Sequence, residues 1–525
     1  MSAPVDPRYP QTRDALEAWR ASTRENYYLA DPLLDRALRR CVDAAVLERA
    51  RPGLVEFGRV CAEELDTPIR ETNRDEHLPK LRRFDDFGRR IDAVDFHPAY
   101  LDIGRRVYAT PVIQGYAAPG QERVQLAYAY LLAHHGEGGH LCPLACTSGL
   151  VKILQARADE ALKARLLPGL LHADRVAPEH LHGAQFLTEI QGGSDVGANA
   201  LRARRDGETW RLDGEKWFCS VIDADLYLVT ARPEGAPEGT AGLGAFVVPR
   251  VRPDGALNGV HVRRLKYKLG TRSMASAETD FIDAFAWAVG PVEGGFKAVV
   301  DIVLNTSRVY NAVAATGMMR RAELEATAYA QHRTAFGRPI SAFADVRQSL
   351  ERLRSRRERA FAGTWALIAL QDRLALGVAT PAERDVFRLV VNMNKYATSR
   401  AATDQAREAI EVLGGNGAIE EFSVLPRLLR DCIVVEAWEG THNVLCAQVL
   451  RDLHKLRLHA PLLDHLGRWA QAGLGVSEET VESLSNDLIA LLTADADTQT
   501  LGMRPLVDRM MAAWQEGALA EILAG

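Results

Sequence analysis

In Thr209-Trp-Arg-Leu-Asp-Gly-Glu-Lys-Trp-Phe-Cys-Ser220 the residue pattern of this chain switches from helix to strand. Strand-forming residues cluster in two runs, Thr209–Leu212 and Lys216–Ser220, and the Asp213-Gly214 between them predicts a tight hairpin turn. Further runs at 226–230, 245–248 and 259–263 extend this into a β unit over residues 181–293. Upstream, residues 1–180 carry apolar positions at three- and four-residue intervals, broken at Asp31-Pro32, Thr67-Pro68, His97-Pro98 and Thr110-Pro111, with few strand signals. Downstream, the helical period returns over 294–449. There Val346, Leu350, Leu353, Ala360, Phe361, Trp365 and Ile368 form one apolar stripe on a long helix, and several such helices suggest a bundle. Residues 450–525 are again helical and are expected as an appended extension. They carry six Lys or Arg against eleven Asp or Glu. The resulting class is α+β, multidomain and mainly α. Its order of helix, β unit and helix is not that of a doubly wound sheet.

The whole chain sets outer bounds on function. Its 525 residues suit roughly two to four domains with room for a large buried cofactor. A net charge of -5 gives nucleic acid no general attraction. The seven cysteines (Cys41, Cys61, Cys142, Cys146, Cys219, Cys432, Cys446) lack CxxC spacing and a His cluster, so neither a disulfide framework nor a zinc or other metal site is expected. The polar N-terminus and the lack of a long uncharged apolar run predict a cytoplasmic protein without a membrane span.

Five segments could carry chemistry. Phe186-Leu-Thr-Glu-Ile-Gln-Gly-Gly-Ser-Asp195 is a loop of small residues whose N–H groups, flanked by the hydroxyls of Thr188 and Ser194, suit a pyrophosphate or a polar ring edge; on its own it reads first as an ordinary turn. No GxGxxG follows a strand, so any dinucleotide binds in another mode. In Gly214-Glu-Lys-Trp-Phe-Cys-Ser220 an indole beside small polar groups suits a flat heteroaromatic cofactor, or simply a strand core. Arg333-Thr-Ala-Phe-Gly-Arg-Pro339 places Arg333 and Phe336 three residues apart on one helix face, fitting phosphate and adenine, although Gly-Arg-Pro is also an ordinary helix stop.

Val412-Leu-Gly-Gly-Asn-Gly417 allows close backbone approach or serves as a helix C-cap. In Val435-Glu-Ala-Trp-Glu-Gly-Thr-His-Asn-Val444, Glu439 lies between Trp438 and Gly440, where an apolar wall raises a carboxyl toward the range of a useful base. Glu436 competes for that role, and a solvated surface carboxylate is the plain alternative.

Taken together and in this order, the segments resemble the acyl-CoA dehydrogenase family across roughly residues 100–450. The AidB-like branch is the most similar, judged by Phe96-His-Pro-Ala99, Leu141-Cys-Pro143, Lys216-Trp-Phe-Cys-Ser220, Lys268-Leu-Gly270 and the residues past 450. That resemblance implies an N-terminal helical domain, a central β-barrel or sandwich, a four-helix bundle and FAD as cofactor. It places Thr188 at the isoalloxazine ring and Gly193 and Ser194 near the pyrophosphate. It makes Trp217, Phe218 and Cys219 the wall over the flavin, with Ser220 supplying the hydroxyl where the family has Thr. Arg333 and Phe336, with Gly414 and Gly415 in the facing loop, would reach the ADP portion of a neighbouring subunit's FAD, implying a homo-oligomer built as a dimer of dimers. Glu439 falls on the catalytic base, Thr441 and Asn443 lie near the cofactor, and Arg308 lies near the substrate.

The implied reaction is α,β-dehydrogenation of an acyl thioester, bound to CoA or to a carrier protein, with an electron-transfer flavoprotein or oxygen as acceptor. A DNA-binding flavoprotein of alkylation stress is the rival from another class. The net acidic extension, with only Arg451, Lys455 and Arg457 clustered, argues against it. A specialised flavoenzyme on the same scaffold is the third possibility.

Overall fold

A computed structural model describes residues 8–524. The chain forms two compact units. One gathers the described residues up to Asp66, Leu126–Gly136 and everything from Asn311 onward; the other is Thr67–Gln125 with Glu137–Tyr310. No described helix is long and apolar enough to cross a membrane.

The second unit holds the β structure. A two-stranded hairpin of β1 (Lys80–Phe84) and β2 (Arg90–Asp95) comes first. It lies where the sequence predicted helix. Its strands are about half Lys, Arg and Asp, β1 mostly exposed and β2 mostly half-buried, so no buried alternation marked them. Among the described residues, seven further strands form one sheet: β3 (Gly183–Phe186), β4 (Arg202–Asp206), β5 (Thr209–Ser220), β6 (Leu226–Pro233), β7 (Gly244–Pro249), β8 (Val260–Leu265) and β9 (Ser276–Ala288). One edge of β6 pairs in turn with β3 and β4, both parallel, and the other pairs with β7. One edge of β9 pairs with β5, and the other with β8 and then β7. The path β6-β4-β5-β9-β7 therefore returns to β6 and closes as a barrel. Helix Gly138–Arg157 packs on it, with a core of Leu150, Leu154, Leu226, Leu228, Val247 and Val299. This helix is buried almost all round, which explains its lack of a polar face.

The predicted turn at Asp213-Gly214 is not there. β5 runs through it, with a bulge between Leu212 and Gly214. The tight turn falls instead on the chain's earlier Asp-Gly, where Asp206 pairs with Thr209 and Gly207 has φ 63°. Gly214 is needed for a different reason: a Cβ there would lie 2.9 Å from the Leu201 side chain. This is close backbone approach at a bulge.

The first unit is helical. Helices Ala344–Ala375, Pro381–Leu413 and Leu425–Ala437 pack together with the part of Asn305–His332 that lies in this unit. The apolar stripe is buried from Leu353 onward, while Val346 and Leu350 stay half-exposed. The described part of 450–525, expected as an appended extension, is helical and lies in the same unit as these helices. Helix Ala496–Leu523 packs on Ala344–Ala375, where Trp514 Nε1 donates to the Gly363 carbonyl at 2.9 Å. Gly517 faces the Trp469 ring so closely that a Cβ would meet it at 2.1 Å.

Candidate active site

In the barrel unit, the segment between β3 and β4 leaves the sheet where these two strands follow one another along β6. It carries Thr188, Gly193 and Ser194. Trp217 N donates to the Thr188 carbonyl at 2.9 Å, joining the first two predicted motifs. A Cβ at Gly193 would come within 2.6 Å of Thr188 Oγ1, so glycine is what lets the loop fold over that hydroxyl. Ser194 is exposed.

Glu189, which no motif singles out, anchors this loop. Its carboxylate is buried and accepts from Lys216 Nζ at 2.8 Å, Ala200 N at 2.6 Å and Leu201 N at 3.2 Å. Lys216, wholly buried on β5, also donates to the Leu187 carbonyl at 3.0 Å. Burial pushes the Glu189 carboxyl up, and Lys216 with the N–H donors more than reverses this, holding it below the usual range. A lysine at an inward strand position was the available signal, because a buried ammonium requires acceptors.

A second bulge, between Lys216 and Cys219, leaves both Trp217 and Phe218 partly exposed. Lys266 Nζ sits 3.8 Å from the Trp217 ring centroid and covers one face of the indole. Cys219 turns into the core, where burial pushes its thiol up to about 12. Ser220, at the strand's end, carries a hydroxyl 3.0 Å from Ser276 Oγ. Arg308 is buried near the start of helix Asn305–His332, with Nη1 3.3 Å from Asn305 Oδ1. Its neighbour Ser307 accepts from Gln185 of β3 at 3.0 Å.

In the helical unit, Arg333 and Phe336 do not share a helix face as predicted. The helix ends at His332, and β10 (Thr334–Ala335) pairs with β11 (Arg338–Pro339) around a turn in which Phe336 and Gly337 have φ 50° and 79°. Phe336, at its tip, is 95% exposed. Arg333, with Tyr329, Glu411, Gly414, Gly415 and Asn416, lines a cavity of about 640 Å³. Gly414 caps helix Pro381–Leu413 at φ 64°, and a Cβ at Gly414 or Gly415 would meet nothing within 4 Å. The cap and the open floor are one feature.

Glu439 sits in the link between helices Leu425–Ala437 and His442–Leu456. Its φ of 56° is left-handed, a conformation costing a non-glycine residue about 1–2 kcal/mol. Trp438 packs on the helical core, and Thr441 at the helix N-cap and Asn443 are exposed. The competitor, Glu436, is committed on both oxygens: Oε1 accepts from the Thr403 hydroxyl, and Oε2 lies 2.7 Å from His442 Nε2. Burial raises its carboxyl, but these partners and Lys395 outweigh burial and hold it below the ordinary range. A carboxylate so occupied makes a poor base.

Comparison with known proteins agrees with this architecture. The profile of the AidB N-terminal domain matches residues 21–175, that of the acyl-CoA dehydrogenase middle domain 184–284, and that of the C-terminal domain 293–454. The chain is 36% identical over 391 residues to the putative acyl-CoA dehydrogenase AidB of Escherichia coli, covering 72% of this chain and 69% of that protein. It is 31% identical over 507 residues to acyl-CoA dehydrogenase family member 11 of Caenorhabditis elegans, covering 91% and 80%. The crystal structure of C. elegans ACDH-11 in complex with C11-CoA superposes with a TM-score of 0.84 at 29% identity, covering 94% of this chain and 87% of that one. The chain belongs to the acyl-CoA dehydrogenase family of FAD-dependent oxidoreductases, with an AidB-type N-terminal domain.

Proposed function

We propose that the protein dehydrogenates an acyl thioester, with Glu439 as the base that removes the α proton. The observation that carries this is the contrast within one short segment. Glu436 is tied on both oxygens, while Glu439 is held in a left-handed conformation, as strained residues at working sites often are. As the carboxylate, Glu439 takes the α proton, and the electrons of that C–H bond form the new Cα=Cβ bond. FAD, when bound, takes up the hydride leaving the β carbon.

The chain's own groups suit that cofactor. The Gly193 turn, Thr188 and the exposed Ser194 offer backbone N–H and hydroxyl donors, and Trp217 offers an indole beside them. Arg333 with the open Gly414 and Gly415 backbone suits a phosphate-bearing moiety. In this reading that cavity serves a second copy's FAD, and Phe336 joins in from the hairpin tip. Arg308, Thr441 and Asn443 are assigned to substrate and cofactor on family pattern.

The test is anaerobic mixing of the flavin-loaded protein with a panel of acyl-CoA thioesters, following flavin absorbance. Wild type should bleach with at least one thioester, and Glu439→Gln should bleach about 10²–10⁴-fold more slowly. A bound flavin that no thioester reduces would overturn the proposal. The match to the AidB N-terminal domain raises duplex-DNA binding as the second reading, whose signature is an affinity falling steeply with salt. The net charge of -5 supports the dehydrogenase instead.

A further inference from the structure

Lys395 lies in helix Pro381–Leu413 with its side chain wholly buried. Its Nζ donates to the Glu436 carbonyl at 2.8 Å and to the Gly440 carbonyl at 2.9 Å. The first belongs to the last turn of helix Leu425–Ala437, where carbonyls lack helical partners; the second lies one residue past Glu439. One ammonium thus closes the link that carries Glu439, gathering both of its ends. Two turns further along the same helix, the Thr403 hydroxyl donates to the Glu436 side chain, whose other oxygen meets His442 at the start of the next helix. Tyr396, next to Lys395, stands edge-on to the His442 ring at 5.1 Å.

Within the clamped span Glu439 has φ 56°, and Gly440, itself the second anchor, has φ 105°. A left-handed glutamate persists only where its surroundings hold it. A lysine can supply that hold, because its compact ammonium points separate N–H bonds at two carbonyls, which the planar fork of arginine cannot reproduce in the same space. We infer that Lys395 is a positioning residue for Glu439, fixing the direction of that carboxylate by clamping the backbone on either side of it. The inference rests on Glu439 being the base. Lys395 touches no substrate in this scheme; it acts through the loop.

The test compares the full-length, flavin-loaded wild type with Lys395→Met, which keeps the apolar stem and removes the donors. Amide hydrogen exchange over residues 436–442, measured without thioester, should accelerate by about 10-fold or more in the variant, with the rest of the unit near wild type. Flavin reduction by the best thioester should slow about 10²-fold, the usual effect of a misplacement near 1 Å, with thioester affinity and flavin content unchanged. Wild-type exchange and reduction rates in the variant would overturn the inference. So would faster exchange spread evenly through the helical unit, which marks general loosening. If no thioester reduces the wild-type flavin, the base assignment fails, and the exchange data still report on the clamp. Should Lys395→Met fail to fold, Thr403→Val removes the neighbouring anchor, and exchange in 436–442 should rise about threefold. No change there would count against the clamp.

Discussion

Two wholly buried lysines each hold a candidate functional loop; both donate to backbone carbonyls, and Lys216 donates to a carboxylate as well. In the barrel unit, Lys216 meets the Glu189 carboxylate, which in turn accepts two backbone N–H groups from the far end of the same loop. In the helical unit, Lys395 meets backbone carbonyls. The loops differ in what must be fixed. The barrel loop runs from β3 to β4 and has ends to tie together, which a carboxylate with several acceptor sites can do. The link at Glu439 is only a few residues long, and its dihedral angles are what matter, so the ammonium grips the main chain directly. Burying a charge is costly in either case and is tolerated only with its hydrogen bonds complete.

The largest effect expected from breaking this comparison is in the barrel. Lys216→Met leaves Glu189 buried and unpaired, and should destabilise the protein by roughly 3–5 kcal/mol in denaturant titrations. Adding Glu189→Gln should recover more than half of that loss. A single variant costing under about 1 kcal/mol would mean that the ion pair does not anchor the loop.

The helical lysine depends on its neighbours as well. Tyr396, beside it, donates to Asp508 of helix Ala496–Leu523 at 2.9 Å, and Trp514 of that helix is 1% exposed. Trp514→Ala should cost roughly 3–4 kcal/mol by opening a large cavity, read as a lowered thermal midpoint. If the C-terminal helices support the Lys395 helix, exchange at Glu439's link should rise in this variant as well. A thermal midpoint within about a degree of wild type would return residues 450–525 to the status of an appendage.

These contrasts show what the residue order could and could not disclose. The helix, β and helix succession was legible because the period of apolar residues changes from about 3.6 to 2 and back. The position of the tight turn was not: two Asp-Gly pairs stand close together, and only the pairing of β5 with both β4 and β9 decides that Asp206-Gly207 turns while Asp213-Gly214 bulges. Thr188, Trp217 and Glu439 came with recognisable motifs. Lys216 and Glu189 sat unremarked inside two of those motifs, 27 residues apart. Lys395 was invisible, because its partners are carbonyls 41 and 45 residues away, and a carbonyl has no side-chain signature.

Acid should separate the two units. Glu189, held below the usual carboxylate range, contributes stability that is present above about pH 4.3 and is lost only as pH falls through its lower folded value. In the helical unit, burial pushes His134 down to about 3. The ring donates Nδ1–H to the Tyr130 carbonyl at 3.0 Å and stacks on Tyr27, near Asp31, Arg320 and His135. Between about pH 6.5 and 3 the unfolded chain binds this proton and the folded one does not. Stability is therefore fully present above pH 6.5 and falls by up to about 1.4 kcal/mol per pH unit below it. His134→Gln should flatten that slope in a pH series of denaturation curves, and an unchanged slope would assign it to other groups.

A third loop sharpens the comparison by having neither kind of lysine. The Phe336 turn has two left-handed residues at its tip, and the phenyl ring is 95% exposed, with Phe343 6.2 Å away. Little of that ring is buried among the described residues, so Phe336→Ala should change the stability of an isolated chain by no more than about 0.5 kcal/mol. In the dimer-of-dimers reading the same ring is covered by a second copy. The variant should then sediment as smaller species at micromolar concentration and retain less FAD on dilution. An assembly and a flavin content both equal to wild type would show that the tip is held by no partner.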